Sequence, residues 1–267
     1  MKELSILMRV MKEAGMLISS LKNTSHILRK KSNNDIVTQA DLLVNEVIKN
    51  QMMAHFPDYG WLSEESVDDV KRLSCHKVWI VDPVDGTKEY AAGIPEYAIS
   101  VALVENGIPV LASVYNPATN ELFHAIKNGG AWCNDKPVRC ADVASHQQLL
   151  LLASRSEYER GEWLQVEKQY RVQQVGSIAY KLALIAAGKA QAVFSLGQKN
   201  EWDIAAGVLL VAEAGGMVTD LQGKQFQFNH ENVLVDGIIA TTKSCYDEMI
   251  ELVKKLSANQ DNSSTLS

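Results

Sequence analysis

The stretch Asp82-Pro83-Val84-Asp85-Gly86-Thr87 directly follows the apolar run Val78-Trp79-Ile80-Val81. The apolar run predicts a buried strand. The hexapeptide predicts a tight turn at its end, because Pro83 fixes one φ angle and Gly86 permits close approach of the backbone. Two carboxylates on such a turn can bind a metal ion, but they can equally cap a helix or face solvent. The hexapeptide alone does not decide between a metal site and an ordinary loop.

Three further acidic motifs lie elsewhere in the chain. Ser63-Glu64-Glu65-Ser66 precedes the strand, and Trp202-Asp203-Ile204-Ala205-Ala206-Gly207 opens an almost wholly apolar helix far downstream. Thr38-Gln39-Ala40-Asp41 matches the capping pattern of Thr followed three residues later by an acid. Asp203 also has a simple interpretation as a helix cap. Taken alone, Asp41 is better explained as a cap than as a catalytic residue.

Carboxylates from several chain segments, together with a backbone carbonyl, match the ligands that Mg²⁺ prefers, which are hard oxygens in octahedral geometry. Two such ions about 3.5–4 Å apart can clamp a phosphate, activate the attacking water and neutralise the leaving oxygen. That arrangement needs a shared carboxylate, and Asp82 is the natural candidate. Backbone N–H groups of the Gly86-Thr87 turn could bind the phosphate oxygens.

The composition, with 46% hydrophobic and 22% charged residues among 267, is that of a globular protein of one large domain or two interlocked ones. Apolar spacing predicts helices over residues 3–22 and 39–55, and an Asn-Gly turn at 105–107 predicts a hairpin. Beyond residue 145, strands alternate with helices: 149–153, 157–169, 171–175, 178–187, 191–196 and 204–214. We expect an α+β part with the antiparallel sheet and most metal ligands, an α/β part and a disordered tail, over residues 1–144, 145–256 and 257–267.

Charge and composition also restrict the partners. The net charge of −6 argues against binding to a nucleic-acid polymer. The chain has neither an apolar run long enough to span a membrane nor the features of a signal peptide. Four widely spaced cysteines without a CxxC pair predict reduced thiols. We expect a cytoplasmic protein that binds a small phosphorylated substrate, and a homodimer is an open alternative.

The motifs together resemble those of the lithium-sensitive inositol monophosphatase superfamily. The resemblance rests on Glu64-Glu65, the hexapeptide at 82–87 and Trp202–Gly207, with Glu213-Ala214-Gly215-Gly216 following, and it covers roughly residues 1–255 in the expected order. Three separated motifs are far more specific than any one of them. The resemblance implies an α+β fold, the layered αβαβα sandwich of the inositol monophosphatase and fructose-1,6-bisphosphatase type. It also implies a metal-dependent phosphatase that Li⁺ inhibits.

The same resemblance assigns metal ligands. Glu64, Asp82 and the Val84 carbonyl would bind the first Mg²⁺ ion. Asp82, Asp85 and Asp203 would bind the second. Glu64 would also share a weaker third ion, so that two to three ions are expected.

Catalytic and substrate-binding roles follow by the same likeness. Thr87 and Asp41 would form a hydrogen-bonded relay that orients and deprotonates the attacking water, and for Asp41 this role outweighs the capping interpretation. Glu64 is counted with them as catalytic. Residues expected to contact the substrate are Glu64, Val84, Asp85, Gly86, Thr87, Lys88, Arg155, Ser177, Lys181 and Asp203.

Several details look more like the 3'(2'),5'-bisphosphate nucleotidase branch than the inositol branch. They are Ser63 before the acidic pair and the stretches 86–90, 154–156 and 176–181. Residues 195–200 contain no acid, whereas inositol enzymes have there a Glu that contacts sugar hydroxyls. Basic side chains could bind a second phosphate or simply face solvent, namely Lys88, Arg155, Lys181 and Lys199.

We therefore rank hydrolysis of adenosine 3',5'-bisphosphate to AMP and phosphate first and hydrolysis of inositol monophosphate second. An alternative of another class is a catalytically silent regulatory module that binds metal or phosphate. Intact acidic motifs argue against that alternative.

Overall fold

A computed structural model describes residues 2–21, 27–30, 36–141 and 148–264. Its α-helices are α1 Lys2–Leu21, α2 Gln39–His55, α3 Thr87–Ala91, α4 Arg155–Glu159, α5 Ile178–Ala186, α6 Glu201–Glu213 and α7 Tyr246–Ser264. Short 3₁₀ helices lie at Val70–Ser74 and Lys243–Cys245. Among the described helices, none combines the length and the apolar character that crossing a bilayer requires.

Within the described residues, seven strands form the larger sheet: β3 Gly60–Ser63, β4 Lys77–Asp85, β5 Ala98–Glu105, β6 Ile108–Asn116, β7 Glu121–Ile126, β8 Gly130–Cys133 and β9 Lys136–Val138. They pair in sequence order, with β3 parallel to β4 and the other pairs antiparallel. The hairpin predicted at residues 105–107 joins β5 and β6, where Asn106 and Gly107 both take positive φ angles.

A five-stranded sheet follows in the described part of the second half. In spatial order it contains β11 Arg171–Gln174, β10 Leu150–Ala153, β12 Ala192–Ser195, β16 Ile238–Thr241 and β14 Met217–Thr219. The pairs of β10 with β11 and β12 are parallel, as the predicted alternation of strands and helices favours. Two small antiparallel pairs complete the strands: β1 Ile27–Lys30 with β2 Ile36–Thr38, and β13 Lys199–Asn200 with β15 Leu234–Val235.

The elements stack in five layers because successive side chains of a strand face opposite sides of its sheet. In β4, Trp79 and Val81 pack against α1 and α2, whereas Val78 and Ile80 pack against α5 and α6. The second sheet covers the other side of α5 and α6, and α7 packs on its far face through Met249 and other apolar residues. The predicted αβαβα sandwich is confirmed.

The helix expected over residues 157–169 is much shorter in the structure. α4 ends at Glu159, and turns follow as far as residue 169. Gly161 has a φ of 79°, which is incompatible with continued helix. The apolar spacing in this stretch instead reflects Trp163 and Val166, which are buried against the second sheet.

The expected disordered tail also differs from the structure. α7 continues through residues 257–264, whereas residues 265–267 lie outside the described residues. Packing of Met249 and Val253 fixes the start of this helix. A helix that is already nucleated extends residue by residue at little further cost, even through a polar sequence.

The crossing of α5 and α6 predicts a destabilising substitution. A Cβ atom at Gly207 would lie 2.6 Å from Leu182 Cβ, which cannot rotate away. Ala gains about 1 kcal/mol over Gly in helix propensity, but overpacking costs about 1–3 kcal/mol. We expect Gly207→Ala to lower the free energy of unfolding in urea titrations. Gly197→Ala, where no atom lies within 4 Å, is the matched control; equal stability of the two variants would contradict the tight crossing.

Candidate active site

The motif at residues 82–87 lies at the end of β4. The strand runs through Asp85, and its pairing with β5 slips between Asp82 and Asp85. The tight turn expected here is therefore a bulged strand end, because Asp85 still pairs with β5. Gly86 takes a φ of 90°, and an added Cβ atom would lie 3.0 Å from the Glu96 carbonyl oxygen. Only Gly fits this close approach, and Thr87 then begins α3.

Asp82 is a buried carboxylate with other carboxylates around it. It is 1% exposed, and the Val84 N–H donates a hydrogen bond of 3.0 Å to its Oδ1. Burial raises the pKa of Asp82 well above its usual value, and the negative charges of four neighbours add to the effect: Glu64, Asp85, Asp203 and Asp41. Four chain segments thus bring carboxylates to one place.

The start of α5 holds Asp85. The Ser177 hydroxyl and the Ala179 N–H each donate a hydrogen bond of 2.6 Å to Asp85 Oδ2. Burial raises the pKa of Asp85, although these hydrogen bonds and the charge of Lys181 act in the opposite direction. Ser177, which we predicted to contact substrate, is bound to Asp85 in this structure.

Asp203 forms the capping contact that the sequence suggested for it, and it also lies close to other acids. Its Oδ2 accepts a hydrogen bond of 2.8 Å from the Asn200 N–H at the start of α6, as expected of a capping residue. Burial raises its pKa well above the usual value, and the charges of Asp85 and Glu64 contribute. The cap therefore also lies among the acidic residues of the site.

Asp41 likewise forms both of its predicted interactions. Its Oδ2 accepts hydrogen bonds from the Thr38 N–H at 2.8 Å and the Thr38 hydroxyl at 2.6 Å, which cap α2. Its Oδ1 lies 2.9 Å from Thr87 Oγ1, and the Val84 carbonyl oxygen lies at the same distance from that hydroxyl. A hydroxyl has one proton, so Thr87 donates to either acceptor but not fully to both. Burial raises the pKa of Asp41.

These residues fit Mg²⁺ by their chemistry. In the described residues, no three His, Cys, Asp or Glu side chains form a ready-made metal-binding cluster, so the carboxylates are neighbours rather than preset ligands. However, the hydrogen bonds described above engage only one carboxylate oxygen of Asp82, of Asp85 and of Asp203. The second oxygen of each carboxylate takes no part in these bonds. Neighbouring acids that repel one another and offer hard oxygen atoms suit a hard cation.

Two of the predicted phosphate-binding cations are engaged with the protein. Lys181 is 1% exposed, and its Nζ donates to Ser154 Oγ at 2.7 Å and to the Val175 carbonyl at 3.1 Å. Burial lowers its pKa to about 8, despite the opposing charges of Glu157 and Asp85. Lys181 is therefore a buried group that is hydrogen-bonded to the protein in this structure, and its contact with a substrate phosphate stays a prediction.

Arg155 is paired with acids that our sequence interpretation did not consider. Its guanidinium donates to Glu96 and lies 3.8 Å from Glu89. Burial acts to raise the pKa of Glu96, but the hydrogen bonds from Arg155 and from the Gly176 N–H, at 2.7 Å, outweigh it and lower the pKa. No local sequence pattern predicts this pairing across 59 residues. Lys88 is exposed on α3.

Glu157 is a further residue that the sequence interpretation missed. It is buried, accepts a hydrogen bond of 2.6 Å from the Ser195 hydroxyl and lies 3.8 Å from Lys199 Nζ. Burial acts to raise its pKa, but the charge of Lys199 and the bond from Ser195 outweigh this and lower the pKa. Ser154 followed three residues later by Glu157 is a capping-box signal that could have marked it.

Comparison with known proteins identifies the family of this chain. The Inositol monophosphatase family model matches residues 2–258. The Nus factor SuhB of Xylella fastidiosa is 36% identical over 234 residues, or 82% of this chain and 82% of that protein. The Fructose-1,6-bisphosphatase/inositol-1-monophosphatase of Thermotoga maritima is 31% identical over 260 residues, or 96% of this chain and 97% of that protein.

Solved structures agree in fold over the same length. An IMPase from Thermotoga maritima superposes with a TM-score of 0.87 at 30% identity, and the match covers 97% of this chain and 99% of that one. The extragenic suppressor protein suhB from Bartonella henselae superposes with a TM-score of 0.82 at 28% identity, over 96% of this chain and 99% of that one. This protein belongs to the inositol monophosphatase family and is a metal-dependent phosphatase.

Proposed function

We propose that the chain hydrolyses a small polyol or sugar phosphomonoester, with inositol monophosphate as the first candidate, at the carboxylate group around Asp82. The observation that carries the proposal is that acids from four chain segments raise the pKa of the buried Asp82, beside the hydrogen bond between Thr87 and Asp41. Bound Mg²⁺ would neutralise phosphate charge and acidify a water molecule. Asp82, Asp85 and Asp203 would supply oxygen ligands for it, together with Glu64 and the Val84 carbonyl.

In the proposed relay, Thr87 passes a proton from the attacking water to Asp41. Water hydrogen-bonded to Thr87 Oγ1 would give its proton to that oxygen while the Thr87 hydroxyl proton passes to Asp41 Oδ1. The pKa of Asp41 is raised by burial, which makes it a better base than an exposed aspartate. The Thr38 bonds to Oδ2 hold Asp41 in place and leave Oδ1 for the relay.

This substrate order reverses the one that we derived from the sequence. The nucleotidase interpretation relied on Lys88, Arg155 and Lys181 as ligands of a second phosphate. Because Lys181 and Arg155 bind protein acceptors, less positive charge is available for that phosphate. Relatives named for inositol monophosphate, including inositol monophosphatase 1 of Solanum lycopersicum at 32% identity, support the new order.

Hydrolysis of a bisphosphate stays as the second candidate because of Lys199. Its side chain is 19% exposed, and its charge acts to lower the pKa of both Asp85 and Asp203. This position places an ammonium group next to the acidic site, where a second phosphate of adenosine 3',5'-bisphosphate or of a sugar bisphosphate could meet it.

A phosphate-release assay with Mg²⁺ tests the substrate order. We expect kcat/KM for inositol 1-phosphate to exceed that for adenosine 3',5'-bisphosphate at least about tenfold, because the second phosphate finds few free cations. Fructose 1,6-bisphosphate is the third substrate. Preference for the adenosine bisphosphate would restore the original order.

Stabilisation of the fold by Mg²⁺ and phosphate without any phosphate release would indicate the catalytically silent module instead. Inhibition by Li⁺, which the family resemblance implies, can be measured in the same assay.

A further inference from the structure

A fully buried carboxylate lies at the first residue of α6 without belonging to the acidic site. Glu201 is 0% exposed and binds the loop at residues 229–230. Its oxygens accept hydrogen bonds from the Asn229 N–H at 2.6 Å and the His230 N–H at 3.0 Å, and the His230 Nδ1 lies 2.7 Å away. Two backbone N–H groups and the His230 ring nitrogen therefore surround a carboxylate that would be costly to bury without partners.

The same loop is held from its other side by Arg72, which is 2% exposed. Its guanidinium donates to Asn229 Oδ1 at 2.7 Å and to the His230 carbonyl at 2.9 Å. The Asn229 side chain donates back to the Arg72 carbonyl at 3.2 Å. A bidentate pair with Asp68, at 2.7 and 2.9 Å, completes the surroundings of the guanidinium. We call these five residues, Asp68, Arg72, Asn229, His230 and Glu201, the Arg72–Glu201 bridge.

The two ends of this bridge lie close in sequence to two predicted metal ligands. Asp68 follows Glu64 by four residues, and Glu201 precedes Asp203 by two. Glu64 and Asp203 are far apart in sequence, and their charges repel each other in the fold. A metal site that contains both carboxylates therefore needs other interactions to keep their two segments close together in the metal-free protein.

We infer that the Arg72–Glu201 bridge positions the segments of Glu64 and Asp203 and thereby sets the affinity of the site for Mg²⁺. The residues of the bridge are positioning residues, since they act through the ligands rather than on the substrate. The inference rests on the proposed metal site. Partners that orient metal ligands change metal affinity about 10- to 100-fold when they are removed.

The chain contains a matched comparison for this role. Glu213, near the other end of α6, also accepts two backbone hydrogen bonds from a loop, from the Asn128 N–H at 2.8 Å and the Gly130 N–H at 2.9 Å. Both glutamates therefore fasten α6 to a loop by the same chemistry. The two glutamates lie at opposite ends of α6, and Asp203 lies at the end that begins with Glu201. If the bridge merely stabilises the fold, the two glutamates should be equivalent for Mg²⁺ binding.

The test measures Mg²⁺ binding to the metal-free full chain by calorimetry, with urea unfolding as the measure of stability. In Glu201→Gln, the side-chain amide faces N–H donors, so at least one hydrogen bond is lost. We expect Mg²⁺ to bind about tenfold more weakly or worse. His230→Ala removes one interaction of a side chain that is 53% exposed, so this variant folds and should lose affinity in the same direction by a smaller factor. Glu213→Gln should bind Mg²⁺ like the wild type.

Wild-type affinity in both Glu201→Gln and His230→Ala would overturn the positioning role. So would an equal loss in Glu213→Gln, since that result would assign the effect to general stability. If Glu201→Gln does not fold, the comparison of His230→Ala with Glu213→Gln decides by itself. A wild-type chain that binds no Mg²⁺ at all would reject the metal site itself, and the bridge inference with it; that result is distinct from a loss confined to the variants.

Discussion

The Asp82→Asn variant should lose at least about 100-fold in kcat/KM, since groups that neutralise transition-state charge contribute on that scale. The substitution nearly preserves shape but removes the charge that both ions are proposed to share. Asp82 is buried at the strand end and receives the Val84 N–H, which an asparagine oxygen can still accept. The fold should therefore persist, and phosphate release measured beside far-UV circular dichroism separates lost chemistry from lost structure.

The same variant should be more stable than the wild type when metal is absent. Burial, with the charges of Glu64, Asp85 and Asp203, raises the pKa of Asp82 in the folded protein. The folded state therefore holds its proton more tightly than the unfolded state, whose aspartate titrates near pH 4. Stability of the metal-free protein must fall as the pH rises from about 4 through the raised folded pKa. The asparagine side chain that replaces Asp82 carries no charge, so this loss is smaller in the variant.

Thermal unfolding at pH 7 then has a characteristic pattern. With a chelator, we expect a higher Tm for Asp82→Asn than for the wild type. With saturating Mg²⁺, the order should reverse, because only the wild type gains the full stabilisation of a bound ligand. Asp58→Asn, the same change at an exposed residue, should follow the wild type in both conditions. Near-normal turnover in Asp82→Asn, or an unchanged Tm in both conditions, would refute the central position of Asp82.

Local signals predicted the parts of the structure that depend on neighbouring residues. α2 begins and ends at the predicted residues 39 and 55, because the Thr38 cap and the apolar spacing are both local to the helix. The acidic motifs indicated Asp82, Asp85 and Asp203 only in combination, because each motif alone also fits a helix cap or a loop. That these acids lie close together follows from the layered fold, which the motif order implies through the family resemblance.

Long-range pairing is what the sequence could not supply. Lys181 and Arg155 resemble free phosphate ligands when only their neighbours along the chain are considered. Their partners, Ser154 and Glu96, lie 27 and 59 residues away, and only the packing of α5 and α4 on the sheets brings them close. Lys181 is buried with its Nζ between two protein acceptors, so it has little capacity left for a substrate. Arg155 is only partly buried, and its ion pair with Glu96 holds it.

The same reasoning applies to Glu201 and Arg72. Neither belongs to a motif, and their connection passes through a loop more than 150 residues from Arg72. Charged groups of this kind are expected at the surface. Their burial follows from a closed set of hydrogen bonds that exists only in the folded chain, which no reading of local pattern reveals.

Thr87→Val should lower kcat by roughly 10²- to 10⁴-fold, the range that general acid–base groups contribute. Valine keeps the β-branched shape at the start of α3 but removes the hydroxyl that lies 2.9 Å from both Asp41 Oδ1 and the Val84 carbonyl. Asp41 keeps its two bonds from Thr38, so the stability loss should be near that of one hydrogen bond, about 1 kcal/mol. Stabilisation by Mg²⁺ should stay close to that of the wild type.

Two further variants separate a relay from a structural contact. Thr87→Ser restores a hydroxyl at the same position and should recover most of the turnover, which a packing role of the methyl group would not allow. If Thr87 and Asp41 act as one unit, the double variant Thr87→Val with Asp41→Asn should be no slower than the slower single variant, because residues of one catalytic unit are not additive. If the loss of kcat in the double variant equals the product of the two single losses, the two residues act independently. The hydrogen bond between them would then be a structural contact rather than a route for the proton.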